Sequence, residues 1–352
     1  MRQNQGMTDT TFLGTTLPLI QAPMASAQDA RLAIAVGEAG ALGSLPAAML
    51  EAAALERELR LLHASARPYN VNFFVHTPPQ PDAAREARWR EALAPYYAEL
   101  GLKAPPPGAG AGRRPFSHEA AEVLEAFRPS FVSFHFGLPA PDLLARVKRM
   151  GSRVLSSATT VREALWLQAN GADAVIAQGL EAGGHRGHFL DKDPALQAGL
   201  ATLLPQVVAA LDIPVIAAGG IADAAGVRAA MAAGACAVQV GTAFLRCDEA
   251  TTHAVHREAL ADLEATTALT NLFTGGLARG IINRVMREQG PVSDATPHFP
   301  LAATAIGPLR AAAEAQGRGD FTPLWSGTNR TGCRAAPAAE VVRALAVGFT
   351  PG

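Results

Sequence analysis

Short apolar runs alternate with longer amphipathic runs along the chain as far as about residue 245. A strand buried on both faces reads as a continuous apolar run, whereas a helix that covers a sheet needs only an apolar stripe. The alternation is therefore typical of repeated strand and helix units in a parallel sheet, and eight such strands close a barrel. The predicted strands are residues 17–22, 41–44, 71–75, 131–136, 153–156, 174–178, 214–218 and 237–240.

Helices are predicted between these strands, and three of them end just before a glycine, as helices often do. They include residues 28–37, 50–63, 140–150, 160–170 and 223–233. The alternative architecture is a doubly wound open sheet, but the GxGxxG that usually follows its first strand is absent. The pattern therefore favours an α/β protein with a (β/α)8 TIM barrel.

Two stretches interrupt the alternation and account for the length beyond the roughly 250 residues of a typical barrel. Residues 77–115 contain TPPQP and APPPGAGAG around a short helical segment, so we predict a flexible Pro/Gly-rich insertion after the third strand. The chain after about residue 250 is mostly helical in pattern. We predict a barrel of residues 1–250 and a helical extension of residues 251–352 that packs on it and contributes to the rim of the active site.

The composition predicts a cytoplasmic protein with a large core and a small-molecule partner. The 352 residues are 49% hydrophobic and 17% charged. With 30 basic and 31 acidic side chains and no Lys/Arg block, the chain lacks an electrostatic footprint for nucleic acid. Three separated cysteines without CxxC spacing favour a reducing compartment. No signal peptide is recognisable and no run reaches the roughly 18 to 20 apolar residues of a membrane helix, so no membrane partner is expected.

Two glycine-bearing segments follow neighbouring predicted strands at the end where a parallel barrel carries its site. Gly219 and Gly220 follow the seventh strand, and Gly241 and Thr242 follow the eighth. Glycines let backbone N–H groups approach a phosphate closely, and the Thr242 hydroxyl can add a hydrogen bond. Either segment alone could merely relieve crowding in a turn, but the two on adjacent strands favour a phosphate site.

The segment QGLEAGGHRGH at residues 178–188 follows the sixth strand and surrounds a histidine with four glycines. His185 is expected to enter the barrel mouth, where an imidazole can take or give a proton near neutral pH. Gln178, at the end of the strand, can donate its amide to a carbonyl of a bound ligand. The alternative is a surface loop in which His185 and Arg186 are solvated.

Three other predicted strand ends bring polar or polarisable side chains to the same mouth. His135 either points into the mouth or is a hydrogen-bonded core histidine. Asn72 lies in mid-strand, where a buried amide needs a partner. The first strand ends in QAPM at residues 21–24, which turns the chain and puts the soft Met24 near the mouth.

Motifs for metal or hydrolytic chemistry are absent from the sequence. The nine histidines include no HxH or HExxH, so no metal site is predicted. There is no GxSxG and no Walker motif with its GK[ST]. Hydrolase and nucleotidase functions therefore lack support.

Several segments together resemble the nitronate monooxygenase family, formerly called 2-nitropropane dioxygenase. VSFHFG at residues 132–137 and EAGGHRG at 181–187 form the specific pair, whereas AAGGIAD recurs in many flavin barrels. The resemblance spans most of the chain. The other segments are QAPMA at 21–25, VNFF at 71–74, QVGTAF at 239–244, FTGGLARGIINR at 273–284 and FTPLWSGT at 321–328.

The resemblance implies a metal-free enzyme that uses FMN and O2 to oxidise alkyl nitronates such as propionate 3-nitronate, releasing nitrite and a carbonyl compound. It implies that His185, and secondarily His135, face a nitronate or nitroalkane substrate, with His185 as the base if neutral nitroalkanes react. The residues expected to bind FMN are Ala22, Pro23, Met24, Asn72, Gln178, Gly183, Gly184, Gly219, Gly220, Gln239, Val240, Gly241 and Thr242.

The chain departs from the family pattern at two places. Family members commonly carry GQ in the C-terminal PLWxGQ loop, where this chain has Gly327 and Thr328. Tyrosines expected in the substrate pocket are missing around Phe299. The resemblance therefore implies the cofactor more firmly than the substrate range.

Two other functions stay open on the sequence. An FMN-dependent enoyl-thioester reductase shares the barrel and a GGH loop but uses NAD(P)H, and His135 within VSFHFG argues against it. A non-catalytic barrel could bind a phosphorylated ligand through Gly220 and Gly241.

Overall fold

The predicted barrel is present in the computed structural model, which describes residues 12–106 and 113–350. Eight strands form one parallel sheet in the order β1-β9-β8-β6-β5-β4-β3-β2, which confirms the predicted fold. Hydrogen bonds from Leu42 N to Leu19 O (2.8 Å) and from Gln21 N to Leu42 O (2.9 Å) close the sheet. In the described residues the strands are β1 Leu19–Gln21, β2 Gly43–Pro46, β3 Tyr69–Phe74, β4 Phe131–His135, β5 Arg153–Ala158, β6 Ala174–Gln178, β7 Gly184–His185, β8 Val215–Ala218, β9 Ala237–Val240, β10 Thr267–Thr270 and β11 Ala278–Ile281.

Helices surround the sheet, and several begin where the sequence supplies a capping side chain. Thr160 accepts a hydrogen bond from Glu163 N, and Asp223 accepts one from Gly226 N, so each satisfies a backbone donor of a first turn. The helices of the described residues are α1 Ala30–Glu38, α2 Ala52–Ala64, α3 Ala83–Glu99, α4 His118–Phe127, α5 Pro141–Arg149, α6 Val161–Ala169, α7 Leu200–Ala210, α8 Ala224–Ala232, α9 Ala254–Ala261, α10 Arg284–Gln289, α11 Ala303–Ala315 and α12 Ala338–Ala346. None of these helices is long and apolar enough to cross a bilayer.

The inside of the barrel is apolar at one level and polar at the next. Leu42, Phe131 and Ile216 belong to a buried apolar cluster. Towards the mouth, the Asn70 amide donates to the hydroxyls of Ser44 (3.0 Å) and Ser133 (2.9 Å). These hydrogen bonds satisfy both donors of the buried amide group, whereas Asn70 Oδ1 has no partner among the described residues. The mouth therefore rests on a fixed polar layer.

The insertion after β3 contains a longer helix than the short segment predicted. Helix α3 has 17 residues and buries Trp89, Leu93 and Tyr97, whose spacing of four residues places them on one helix face. The Tyr97 hydroxyl donates to Ala305 O (2.6 Å), which joins the insertion to α11. The Pro/Gly-rich flanking segments dominate the composition of the insertion, so the sequence pattern did not predict this apolar stripe. Residues 107–112 of the predicted insertion lie outside the described residues.

The last hundred residues include an antiparallel sheet that the sequence pattern did not predict. Strands β10 and β11 pair with each other, and β11 pairs with β7, so that Ala278 lies opposite His185. Helix α12 then packs against α1 and α8 in the ring of helices around the barrel. The division into residues 1–250 and 251–352 stays a prediction, and this packing gives the end of the chain a place in the barrel wall.

Candidate active site

A cavity of about 220 Å³ opens at the carboxyl ends of the barrel strands. Both predicted catalytic histidines and all of the predicted FMN-binding residues line it. They reach it from the ends of β1, β3, β4, β6, β8 and β9 and from the β6 loop. The parallel topology explains this convergence, because all of these strand ends meet at one face of the barrel.

The glycines after β8 have backbone conformations that favour glycine. Gly219 has φ 121° and Gly220 has φ 70°, and a Cβ on Gly219 would lie 3.1 Å from Ala182 N. The turn therefore requires glycine both for its backbone and for contact with the loop after β6. The two glycines thus avoid a steric clash with the loop after β6, and both also line the cavity.

A C-terminal loop closes this end of the cavity. Gly327 N donates to the Thr242 hydroxyl oxygen (3.0 Å), and the Asn329 amide donates to Gly220 O (3.2 Å). Thr328, where the family commonly has Gln, has an exposed side chain and uses its backbone N–H to bond Glu181 O (3.0 Å). The loop is thus held by backbone groups and Asn329, which the sequence reasoning did not single out.

The amide of Gln178 braces the loop that follows β6. Its Nε2 donates to His185 O (2.9 Å), and its Oε1 accepts from Gly187 N (2.8 Å). An amide nitrogen has two protons, so one donor remains for a ligand beyond this bond. Gln178 therefore combines the expected position at the mouth with a structural role that was not expected.

Arg186 is fully buried, so the alternative of a solvated surface loop is wrong. Its guanidinium donates to Gln197 Oε1 (2.8 Å), Gly179 O (2.8 Å) and Gln178 O (2.9 Å). These acceptors replace the water that a buried cation loses. Arg186 thus fixes the loop by bonding its first residues, while its neighbour His185 lines the cavity.

His135 lines the cavity and is also hydrogen-bonded through both ring nitrogens, so the two predicted alternatives hold together. Its Nε2 lies 3.1 Å from His185 O and its Nδ1 lies 3.1 Å from Ser157 Oγ. Because a carbonyl only accepts, Nε2 carries the proton and Nδ1 accepts from the Ser157 hydroxyl. Burial lowers the pKa of His135 to about 4. His135 is therefore neutral at pH 7 and positions the His185 backbone.

His185 is enclosed by aromatic rings and bonded to one hydroxyl. Its Nε2 lies 2.9 Å from Thr274 Oγ1, on the turn before β11. The ring centroids of Phe299 and Trp325 lie 5.2 and 5.6 Å from that of His185. Burial first, and then the positive charge of Arg113, hold the pKa of His185 well below 6.5. The imidazole is therefore neutral near pH 7 and is able to accept a proton.

Phe136 adds to this aromatic wall from a strained backbone position. It has φ 73°, which is uncommon for a bulky side chain. Its ring lies 5.2 Å from both Phe74 and Phe299 by centroid distance. Such strain tends to occur at functional sites, where surrounding packing enforces it.

The charged residues of the cavity favour an anionic ligand. Arg113 and Arg310 line it, and none of the described lining residues is acidic. Sequence reasoning missed both arginines, together with Thr274 and Trp325. Arg113 lies within the predicted insertion, whose Pro/Gly composition gives no signal for a single functional side chain. Trp325 lies within FTPLWSGT.

Two buried side-chain oxygens of the cavity lining, the Gln239 amide oxygen and the Thr252 hydroxyl, lack a partner within the described part of the chain. Gln239 Oε1, at the end of β9, makes no hydrogen bond. A buried acceptor without a donor is costly, and a ligand N–H or O–H can supply that donor. For metals, no group of three or more His, Cys, Asp or Glu residues is suitably placed among the described residues.

Comparisons with known proteins identify relatives along nearly the whole chain. The family profile described as nitronate monooxygenase matches residues 7–348. A nitronate monooxygenase from Pseudomonas aeruginosa is 42% identical over 348 residues, which cover 96% of this chain and 98% of the relative. Another from Paraburkholderia phytofirmans is 40% identical, with 95% and 92% covered. The solved structure of a nitroalkane oxidase from Streptomyces ansochromogenes is similar with a TM-score of 0.88 at 40% identity, covering 96% of this chain and 97% of that one.

Barrel, cavity and comparisons together define the class of protein as a (β/α)8-barrel oxidoreductase for small molecules. More specifically, the chain belongs to the nitronate monooxygenase family. This confirms the membership that the sequence motifs predicted. Oxidation of nitronates in general is the activity that the family and the structural similarity support.

Proposed function

We propose that the protein oxidises alkyl nitronates of the propionate 3-nitronate type with O2, using FMN, and releases nitrite and a carbonyl compound. The observation that carries this proposal is the cavity itself. It holds arginine charge without any acidic lining residue, next to a neutral histidine among aromatic rings. A nitronate is a small anion that such a cavity suits, because the aromatic walls exclude water and the positive charge of an arginine favours an anion.

The residues at the mouth fit FMN as the bound flavin. The segments after β8 and β9 offer backbone N–H groups and one hydroxyl to a phosphate, at the usual place for a phosphate in this fold. Their residues at the cavity are Gly219, Gly220, Gly241 and Thr242. The unpartnered Gln239 Oε1 fits a ring with N–H groups. FMN, when bound, supplies the ring that takes electrons from the substrate and passes them to O2.

The chain's own residues have a modest chemical task with a nitronate. Because the anion already carries its electron density at carbon, no proton has to be removed, and the site needs to orient the substrate and exclude water. The neutral nitroalkane differs, since its α proton must leave. His185 is placed for that step, because its neutral ring can accept the proton within the cavity.

Nitrite release from propionate 3-nitronate under air is the direct test. The purified yellow holoprotein is expected to release nitrite in proportion to the O2 consumed. Heat-denatured protein with the same FMN content is the control for reaction of free flavin. A holoprotein that releases no more nitrite than this control would contradict the proposal.

The two alternatives predict different results in simple experiments. An enoyl-thioester reductase would show rapid anaerobic bleaching of its flavin by NADH or NADPH, which we do not expect here. A non-catalytic barrel would be colourless, whereas a flavoprotein absorbs at about 450 nm.

A further inference from the structure

We propose that Arg113 binds the negatively charged oxygen atoms of the substrate and so determines the preference of the site for anions. The inference rests on the proposed function and adds to it a residue outside the quoted family motifs. The ligand chemistry is a planar pair of oxygens sharing one negative charge, which occurs in a nitronate group and in a carboxylate.

The guanidinium of Arg113 is a largely buried cation without a counter-charge. No carboxylate of the described residues forms an ion pair with it, and its Nε atom is buried without a hydrogen-bond partner. Residues 107–112, which precede it, read PGAGAG and have no acidic side chain. Burial is the main cause of its lowered pKa, and the charge of Arg310 adds to it. A buried cation in this condition favours an anion that arrives from solution.

Arg310 differs in this respect, although it lines the same cavity. Its Nε donates to Glu314 Oε1 (2.8 Å), and the same carboxylate oxygen accepts from the Thr322 hydroxyl (3.0 Å). The charge of Arg310 is thus already offset within the protein. Arg113 is left as the lining arginine whose charge the described residues do not neutralise.

The position of Arg113 is beside the aromatic wall and His185. Its Cζ lies 5.8 Å from the Phe299 ring centroid, and that ring lies 5.2 Å from His185. The backbone is held there because His76 Nε2 bonds Arg113 O (3.1 Å) and Phe116 N donates to Phe74 O at the end of β3 (2.8 Å).

The sheet order separates this position from the proposed phosphate site. Strand β3 is separated from β8 by β4, β5 and β6 on one side, and from β9 by β2 and β1 on the other. Arg113 therefore lies across the mouth from Gly220 and Gly241. This placement assigns it to the substrate rather than to the cofactor phosphate.

Arginine is suited to this task by its shape. Its planar guanidinium can donate two parallel hydrogen bonds to a planar pair of oxygens, which a lysine ammonium cannot match. Arg113→Met should therefore remove the interaction at similar side-chain length. Arg113→Lys should restore part of it.

The kinetic test compares charged and neutral substrates with the FMN holoprotein. In Arg113→Met we expect KM for propyl-2-nitronate, propionate 3-nitronate or both to rise at least roughly tenfold with a smaller change in kcat, while KM for neutral nitroethane stays unchanged. A rise in KM for both nitronates identifies the nitronate group as the partner of Arg113. A rise for propionate 3-nitronate alone identifies its carboxylate. Unchanged KM values for both anions, or an equal rise for nitroethane, would overturn the assignment.

Arg85→Met is the matched control. Arg85 lies on α3 and hydrogen-bonds the His298 ring (3.2 Å) near the same rim, but it does not line the cavity. Its KM values should equal those of the wild type. The melting temperature of Arg113→Met should be unchanged or higher, because an unpaired buried charge is removed, and a fall would indicate a structural role and count against the proposal.

Binding of unreactive anions separates this inference from the proposed function. Nitrate and propionate are titrated calorimetrically into the holoprotein, and saturable binding of at least one of them should weaken about tenfold or more in Arg113→Met. If that holds but no nitronate is oxidised, the function fails and Arg113 remains an anion-binding residue. If the wild type oxidises nitronates but binds neither anion saturably, the assignment to Arg113 fails.

Discussion

His185 acquires its properties from its surroundings. In water its imidazole would be partly protonated near pH 6.5, whereas burial and the charge of Arg113 keep it neutral in the cavity. Burial also lowers the pKa of His135. Both of its ring nitrogens are already hydrogen-bonded within the protein, so neither is available to a substrate. Of the two histidines, His185 is therefore our candidate for proton transfer, and His135 our candidate for positioning.

The His185→Asn variant should distinguish neutral substrates from nitronates. We expect nitroethane turnover to fall roughly 10²- to 10⁴-fold, because the base is lost, with a much smaller effect on nitronates and with FMN still bound. Nitrite release and the flavin absorbance measure these two outcomes. His118→Asn, an exposed histidine on α4, is the control. Equal loss with both substrates would remove the base role from His185.

The pH profile of nitroethane turnover tests the same residue in the wild type. A base works in its unprotonated form, and the pKa of His185 lies well below 6.5. kcat/KM should therefore stay constant as the pH falls through 6.5 and should decrease only at clearly lower pH. A midpoint at 6.5 or above would contradict a buried, neutral base.

At the scale of elements, the loop after β6 owes its shape to hydrogen bonds that enter it from several directions. Gln178 and His135 both donate to His185 O, while Arg186 bonds the backbone of residues 178 and 179. The short strand β7 then pairs with β11 of the extension. A glycine-rich segment that could be flexible in isolation is thereby held at the mouth by the barrel on one side and the extension on the other.

Arg186→Met tests how far this loop depends on its buried cation. The change removes the Arg186 donor from Gln197 Oε1 and Gln178 O and leaves Gly179 O with Ala182 N alone. We therefore expect the free energy of unfolding to fall by about 2 to 5 kcal/mol, together with nitronate turnover. Urea unfolding measures the first effect. Arg31→Met, which removes an exposed ion pair with Asp29, should cost less than about 1 kcal/mol. Equal losses in the two variants would show that the buried contacts add nothing.

At the scale of the whole molecule, burial of neutral histidines links stability to pH. Burial lowers the pKa values of His135 and His256 to about 4 in the folded protein, against 6.5 for the free side chain. The unfolded chain then binds more protons between pH 6.5 and 4, so this stability is complete above pH 6.5 and is lost as the pH falls through that window.

The His256→Gln variant should reveal this linkage. For a histidine with these pKa values, roughly 2 kcal/mol of stability is lost between pH 7 and pH 5. Urea unfolding at both pH values should therefore show a smaller pH dependence in His256→Gln, whose amide can still donate to Trp325 O. The same pH dependence in variant and wild type would indicate that His256 is not buried in its neutral form.

The sequence predicted the barrel, its eight strands and their ends to within two residues. Burial on both faces of a parallel sheet imposes continuous apolar runs, which are visible without coordinates. The sequence also placed His185, Gln178 and the two glycine segments at one mouth, since strand ends in such a barrel converge. The family motifs then predicted the class of chemistry.

The contacts of these side chains follow from the tertiary structure and not from the local sequence. Segments far apart in sequence meet where His135 bonds Ser157 and His185 O, and where β7 pairs with β11. The complete burial of Arg186 likewise depends on the fold around it. Arg113 is the clearest case. An arginine after a glycine run is expected to be exposed to solvent, but in the folded protein its Nε is buried without a hydrogen-bond partner. Local pattern records which residues are apolar, whereas the charge state of a buried group depends on every element packed around it.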